Sequence, residues 1–184
     1  MFKNQMFRKL LVSAIVFGAF SLPASAVERM TYLGGLVGAN FVNNDSNASA
    51  NTNFGVTAGA KLSPQFGMGF YGTYYGQSES ASIFGLPAGT ATRTYNLAGE
   101  LNIFASVFHF GGDAGAGIST WEANVGSVNQ SNSNTAFIYG PEAGFDIPLG
   151  SSALSLGGEA HYLFTNATDG RNNLQVLGAL KVWL

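Results

Sequence analysis

The sequence predicts an all-β fold, an eight-stranded antiparallel up-and-down transmembrane β-barrel. Three observations carry this reading. Eight segments alternate apolar residues with small or polar ones, the period of a strand with two unlike faces. The connections between them alternate long and short. When the apolar face of every segment is turned outward, seven charged residues within the segments fall on the opposite face.

The segments follow in order. Residues 31–42 (TYLGGLVGANFV) place Leu33, Val37, Ala39 and Phe41 together. Residues 52–62 place Phe54, Val56, Ala58, Ala60 and Leu62 on one face, with Asn53, Gly55, Thr57, Gly59 and Lys61 on the other. Residues 66–77 align Phe66, Met68, Phe70 and Tyr74, and residues 93–103 align Tyr95, Leu97, Leu101 and Ile103. Residues 108–121 align Phe108, Phe110, Ala114, Ala116 and Ile118. Residues 137–147 align Phe137, Tyr139, Ala143, Phe145 and Ile147. The last two, 154–165 and 173–184, align Leu154, Leu156, Ala160, Tyr162 and Phe164, then Leu174, Val176, Leu180, Val182 and Leu184. Each is near the length a tilted transmembrane strand needs. The glycine density opposes an amphipathic helix anywhere.

Short turns are expected near 63–65, 104–107 and 148–152, and longer polar loops at 43–52, 78–92, 122–136 and 166–172. In an up-and-down barrel this order puts all long loops at the extracellular end and all turns at the periplasmic end. Within 78–92 the stretch Ser82–Pro87 forms an apolar tip, read as folding over the barrel mouth.

Alternation alone does not say which face points inward; charges and aromatics decide. Lys61, Glu100, Asp113, Glu142, Asp146, Glu159 and Lys181, together with His109 and His161, share the non-apolar parity. Arg93 has the outward parity but lies at a loop end. The outward aromatics gather near the two ends of the strands: Phe41, Tyr74, Tyr95, Phe137, Tyr139, Tyr162 and Phe164 at the long loops, Phe66, Phe108, Phe110 and Phe145 at the turns. The outward middles are mostly Val and Ala, with Phe70 the exception. Two aromatic girdles around an aliphatic belt match the depth profile of a bilayer. A soluble core has no reason to sort its aromatics by height.

Residues 1–26 read as a cleaved secretory signal peptide. Lys3, Arg8 and Lys9 precede an apolar run from Leu10 to Phe20, and Ala24-Ser25-Ala26 supplies an A-x-A cleavage pattern. The mature chain, 27–184, suits one domain. Five basic residues then face ten acids, a net charge of −5, and no basic patch for nucleic acid is visible. With no cysteine there is no disulfide framework.

The signal peptide, the eight strands, the alternating loops and the terminal "NLQVLGALKVWL" resemble the small outer-membrane β-barrels of the OmpA/OmpX type, and "YGPEAGFDIPLG" at 139–150 is similar to a strand and turn of porin-family small barrels. The resemblance implies residence in the outer membrane of a Gram-negative bacterium, in contact with lipid and lipopolysaccharide. It also implies recognition of the last strand by the barrel-assembly machinery, which would read Leu180, Val182, Trp183 and Leu184.

The inward charges support two readings. One is a paired network that fills and rigidifies the barrel, with carboxylates near Lys61 and Lys181 compensated. The other is a narrow path in which five acids and two lysines favour cations. The first makes the protein a structural and surface component of the envelope, with adhesion to host surface or phage through four loops. Catalysis is not expected: Glu159 and His161 can be neighbours, but Ser155 lies further along. Nor is a metal or other cofactor. In an extended strand His109 and Asp113 stand more than about ten ångströms apart, which separates two members of a His109–Asp113–His161 set. "FGGDAGAG" at 110–117 lacks the Lys-Ser/Thr ending of a phosphate loop, so its glycines read as clearance inside a tight barrel.

Overall fold

A computed structural model describes residues 31–42, 49–83, 86–125, 128–150, 153–166 and 172–184. The expected signal peptide, the centres of the loops at 43–52 and 166–172, and Phe84 in the apolar tip lie outside these residues.

Eight antiparallel strands close on themselves: β1 (Thr31–Val42), β2 (Ser49–Lys61), β3 (Phe66–Ile83), β4 (Leu86–Ala105), β5 (Phe108–Val125), β6 (Val128–Pro148), β7 (Leu154–Thr165) and β8 (Asn173–Trp183). Each pairs with its sequence neighbours, and β1 pairs with β8 to close the wall. The pairing register fixes the stagger. Starting at Tyr32 and stepping through Gly59, Gly69, Glu100, Asp113, Gly140, Leu163 and Asn173 leads to Val42, ten residues along the starting strand. A stagger of this size tilts the strands by about 40° and leaves an interior just wide enough for side chains.

The faces are inverted relative to a soluble protein. Leu33, Val56, Phe70, Leu97, Leu101 and Leu156 are exposed on the outer wall. Asn40, Asn53, Thr57, Asn96, Gln175 and His161 are buried inside. The upper aromatic girdle is a contact ladder, with ring centroids 4.9 Å apart for Tyr74–Tyr95, 5.5 Å for Tyr139–Phe164 and 5.1 Å for Tyr162–Phe164.

Two of the expected loops are strand instead. Residues 78–83 pair with 86–91, and 119–125 pair with 128–134, so β3, β4, β5 and β6 continue past the aromatic girdle as one four-stranded sheet. Outside the membrane both faces of a ribbon meet water, and the apolar alternation that marks the wall disappears. The Ser, Thr, Ala and Asn residues there keep the backbone ladder without leaving a period to read. At the periplasmic end the turn after β4 places Ser106 at φ 64°, a left-handed conformation costly for a residue with a Cβ.

Wall thickness leaves little tolerance at inward positions. A Cβ on Gly140 would run into the carbonyl oxygen of Tyr162, whereas one on Gly35 meets nothing within 4 Å. We expect Gly140→Val to abolish the compact, fast-migrating band that folded barrels give in unheated SDS gels, by parting β6 from β7. Gly35→Ala should keep it; loss of the band in both variants would contradict the assignment of inward and outward faces.

Candidate functional site in the barrel interior

Glu100, His109, Asp113, Glu142, Glu159, His161 and Lys181 are buried, Lys61 and Asp146 are partly buried, and glycines on the neighbouring strands make room for them. Lys61 stands opposite Gly67, Glu100 opposite Gly69, Lys181 opposite Gly34 and Asp146 opposite Gly157. Asp113 faces Gly140, Glu142 faces Gly111, and Gly144 clears room for both His109 and Glu159. A long inward side chain crosses the lumen over a neighbouring strand that has none.

The result is a continuous ionic chain. Lys181 Nζ donates to Asp146 Oδ2 at 3.0 Å and lies 2.6 Å from Glu159 Oε1. The other Glu159 oxygen is 3.4 Å from His161 Nε2. His161 Nδ1 is 2.9 Å from Asp113 Oδ2 and 3.5 Å from Glu142 Oε2. The Tyr71 ring packs on the His161 ring at 4.6 Å between centroids, and its hydroxyl donates to Asp113 at 3.4 Å. Tyr32 Oη donates to Glu100 at 2.6 Å. The lysines behave differently from one another. Lys181 holds two carboxylates, while Lys61 lies over the rings of Phe104 and Trp183, 4.6 and 5.0 Å from their centroids.

The metal set weighed from sequence does not assemble. His109 sits beside Asp146, 3.7 Å away, whereas Asp113 and His161 meet on the other side of Glu159. Asp113, Glu142 and His161 do converge, with potential ligand atoms all within 4.8 Å of one another. The expected Glu159–His161 contact is present, but Ser155 is engaged elsewhere, accepting from Trp183 Nε1 at 2.9 Å. Leu180, Val182 and Leu184 of the expected assembly signal face outward, while Trp183 turns in and packs against Tyr32 in a tilted arrangement, with ring centroids 5.0 Å apart.

Sequence reasoning singled out the inward charges and passed over the inward apolar residues. Leu36, Tyr71, Ala98, Ile138, Leu163, Leu177 and Ala179 form one buried cluster. Along β7, Leu163 is the next inward residue above His161, and along β6, Ile138 stands two inward positions above Glu142. The same Ile138 and Leu163 floor a vestibule of about 380 Å³ at the long-loop end of the barrel, lined by Tyr75, Thr94, Asn96, Ser119, Trp121 and Asn173, among others. Their inward parity was readable: Leu36 alternates with Gly34 and Gly38 just as Lys181 alternates with Ala179.

Removing one partner of a buried ionic chain leaves its neighbours uncompensated. We expect Lys181→Met, which strands Asp146 and Glu159, to lower the unfolding free energy in urea by about 3–5 kcal/mol. The exposed Arg93–Glu122 pair, 3.1 Å apart at the outer rim, is the control. Arg93→Ala should change stability by no more than about 1 kcal/mol. Equal effects would mean that the interior is solvated like the surface.

Comparison with known proteins agrees with this architecture. The family model described as outer membrane protein beta-barrel domain matches residues 12–179. No curated protein matches the sequence. Among solved structures, Ail, the attachment invasion locus protein of Yersinia pestis, solved in complex with the heparin analogue sucrose octasulfate, is similar at 15% identity and a TM-score of 0.62, over 83% of this chain and 96% of that one. Neisserial surface protein A is similar at 9% identity and a TM-score of 0.54, over 87% and 100%. A closed eight-stranded wall with an apolar exterior, matched by the family model over nearly its whole length, makes this chain a member of the outer-membrane protein β-barrel family.

Proposed function

We propose that this protein is a non-conducting, non-enzymatic barrel of the outer membrane that supports envelope integrity and contacts external surfaces through its protruding sheet. The observation that carries the reading is the filled lumen. The ionic chain occupies the lower and middle interior, Leu177 and Tyr71 pack against it at its own level, and Ile138 and Leu163 with the buried Asn40, Asn53, Thr73 and Gln175 fill the space between it and the vestibule. An eight-stranded bore filled by packed side chains leaves no room for a continuous column of water, and without one ions do not cross.

The surface role rests on the extracellular sheet. Beyond Tyr75 no described residue of β2 pairs with β3, and above Ile138 none of β7 pairs with β6. Among the described residues the extension therefore has two open edges, each a template for an extended peptide. Residues 76–93 and 119–136 contain only Glu79, Arg93 and Glu122 as charged residues. That composition favours a partner read through its backbone over a polyanion such as the one bound in the Ail structure.

Two measurements test the reading. The refolded protein in planar bilayers should give no discrete conductance steps. Cation-selective steps reduced by Glu142→Gln or Glu159→Gln would replace it with the narrow-pore alternative. Cells displaying the protein should adhere to surfaces coated with extracellular matrix proteins, and lysines placed at the β6 edge (Ser131→Lys with Ser133→Lys) should reduce adhesion to the level of cells without it. Adhesion unchanged by these substitutions would remove the sheet edge from the proposal.

A further inference from the structure

We propose that Asp113, Glu142 and His161 form a binding site for one divalent transition-metal ion of the Zn²⁺ type, enclosed within the barrel. The ligand-type atoms of the three residues lie within 4.8 Å of one another, on adjacent strands β5, β6 and β7. His161 is fully buried, and the Asp113 and Glu142 side chains are at most 2% exposed. The spacing suits coordination. An ion about 2.1 Å from each atom would subtend angles of about 90° across the 2.9 Å His161–Asp113 separation and about 110° across the 3.5 Å His161–Glu142 separation. The Asp113 and Glu142 ligand atoms, at most 4.8 Å apart, need approach by no more than about 0.6 Å to fall within the about 4.2 Å that two such bonds span.

A second observation points to a ligand. Neither carboxylate oxygen of Glu142 has a hydrogen-bond partner among the described residues, and Asp113 Oδ1 has none either. The two donors nearby, His161 Nδ1 at 2.9 Å and the Tyr71 hydroxyl at 3.4 Å, are both directed at Asp113 Oδ2. A buried carboxylate without a partner costs several kcal/mol, on the order of a desolvated ion, and a bound cation removes that cost. The wider charge balance agrees. Glu100, Asp113, Glu142, Asp146 and Glu159 outnumber Lys61, Lys181 and the two imidazoles.

The surroundings orient the set. Glu159 Oε2 approaches His161 Nε2 at 3.4 Å, so an Nε2–H donated to Glu159 leaves the Nδ1 lone pair directed at the site. This is the carboxylate–histidine–metal relay by which outer groups fix the tautomer and raise ligand basicity. Lys181 in turn fixes Glu159. One imidazole with two carboxylates suits a first-row divalent ion better than Ca²⁺ or Mg²⁺, which prefer all-oxygen shells. With Leu163, Ile138 and the buried Gln175 and Asn40 above and Tyr32, Phe104 and Trp183 below, the ion would be taken up as the barrel closes and would exchange slowly.

The test refolds the purified barrel with Zn²⁺, passes it over a chelating resin and measures bound zinc by elemental analysis. The wild type should retain about one ion per barrel. Glu142→Gln and His161→Gln should retain none while still giving the folded band in unheated SDS gels, and Glu159→Gln should bind about 10- to 100-fold more weakly. The wild type refolded with Co²⁺ provides a measurement that depends on no variant: visible ligand-field bands with a nitrogen ligand detected by X-ray absorption. Wild-type protein that retains no metal and shows no such bands overturns the site, leaving Asp113 and Glu142 to share a proton. Retention unchanged in both substituted proteins overturns it equally.

Discussion

In hydrocarbon no water is available to an unpaired amide or carbonyl, and each one left open costs several kcal/mol. A sheet tolerates that medium only if its first and last strands meet. The ladder from Tyr32↔Trp183 to Val42↔Asn173 is therefore the constraint on which the other features depend. Eight strands closing with a ten-residue stagger set the bore, and the bore sets how much side chain the interior accepts. Gly140 shows how tightly this is drawn. It stands in the circuit between Asp113 and Leu163 where no side chain fits, and its absence of one lets the Asp113 carboxylate reach across β6 to His161.

Within that bore, chemistry is layered by height. Aromatic rings and lysines occupy the turn end, acids and His161 the middle with Leu177 and Tyr71 packed beside them, Ile138 and Leu163 with buried amides the next level, and neutral amides and hydroxyls the vestibule. The layers support each other. The acids need Lys181, His161 and the tyrosine hydroxyls as partners, and the aliphatic cluster keeps water from competing for those contacts. An interior arranged for transport would open such layers; here they interlock, which favours a static wall bearing a projecting sheet.

Parity along single strands made the wall legible. The segments 31–42 and 154–165 coincide with β1 and β7, and the assignment of every inward charge follows from alternate residues being apolar. Sequence stops being informative where lipid stops. At 78–92 and 122–136 both faces are wet, so continued pairing leaves no pattern. It is also silent about meetings across the lumen. His109 and His161 look equivalent on their strands, yet the stagger sends one to Asp146 and the other to Asp113 and Glu142. Which carboxylates become neighbours depends on the register of one or two intervening ladders, which no single segment carries.

The packed interior also divides the molecule's electrostatics into two compartments. Mobile ions reach the Arg93–Glu122 pair at the rim, where side chains are half exposed, and salt screens it over a Debye length of about 8 Å at physiological strength. The chain from Lys181 to His161 lies behind Leu163 and Ile138, where counter-ions do not follow. Moving the cell from fresh water to brine would thus retune the outward-facing contacts and leave the strength of the wall unchanged, so that one small barrel can meet a variable medium with a rim that responds and a frame that does not.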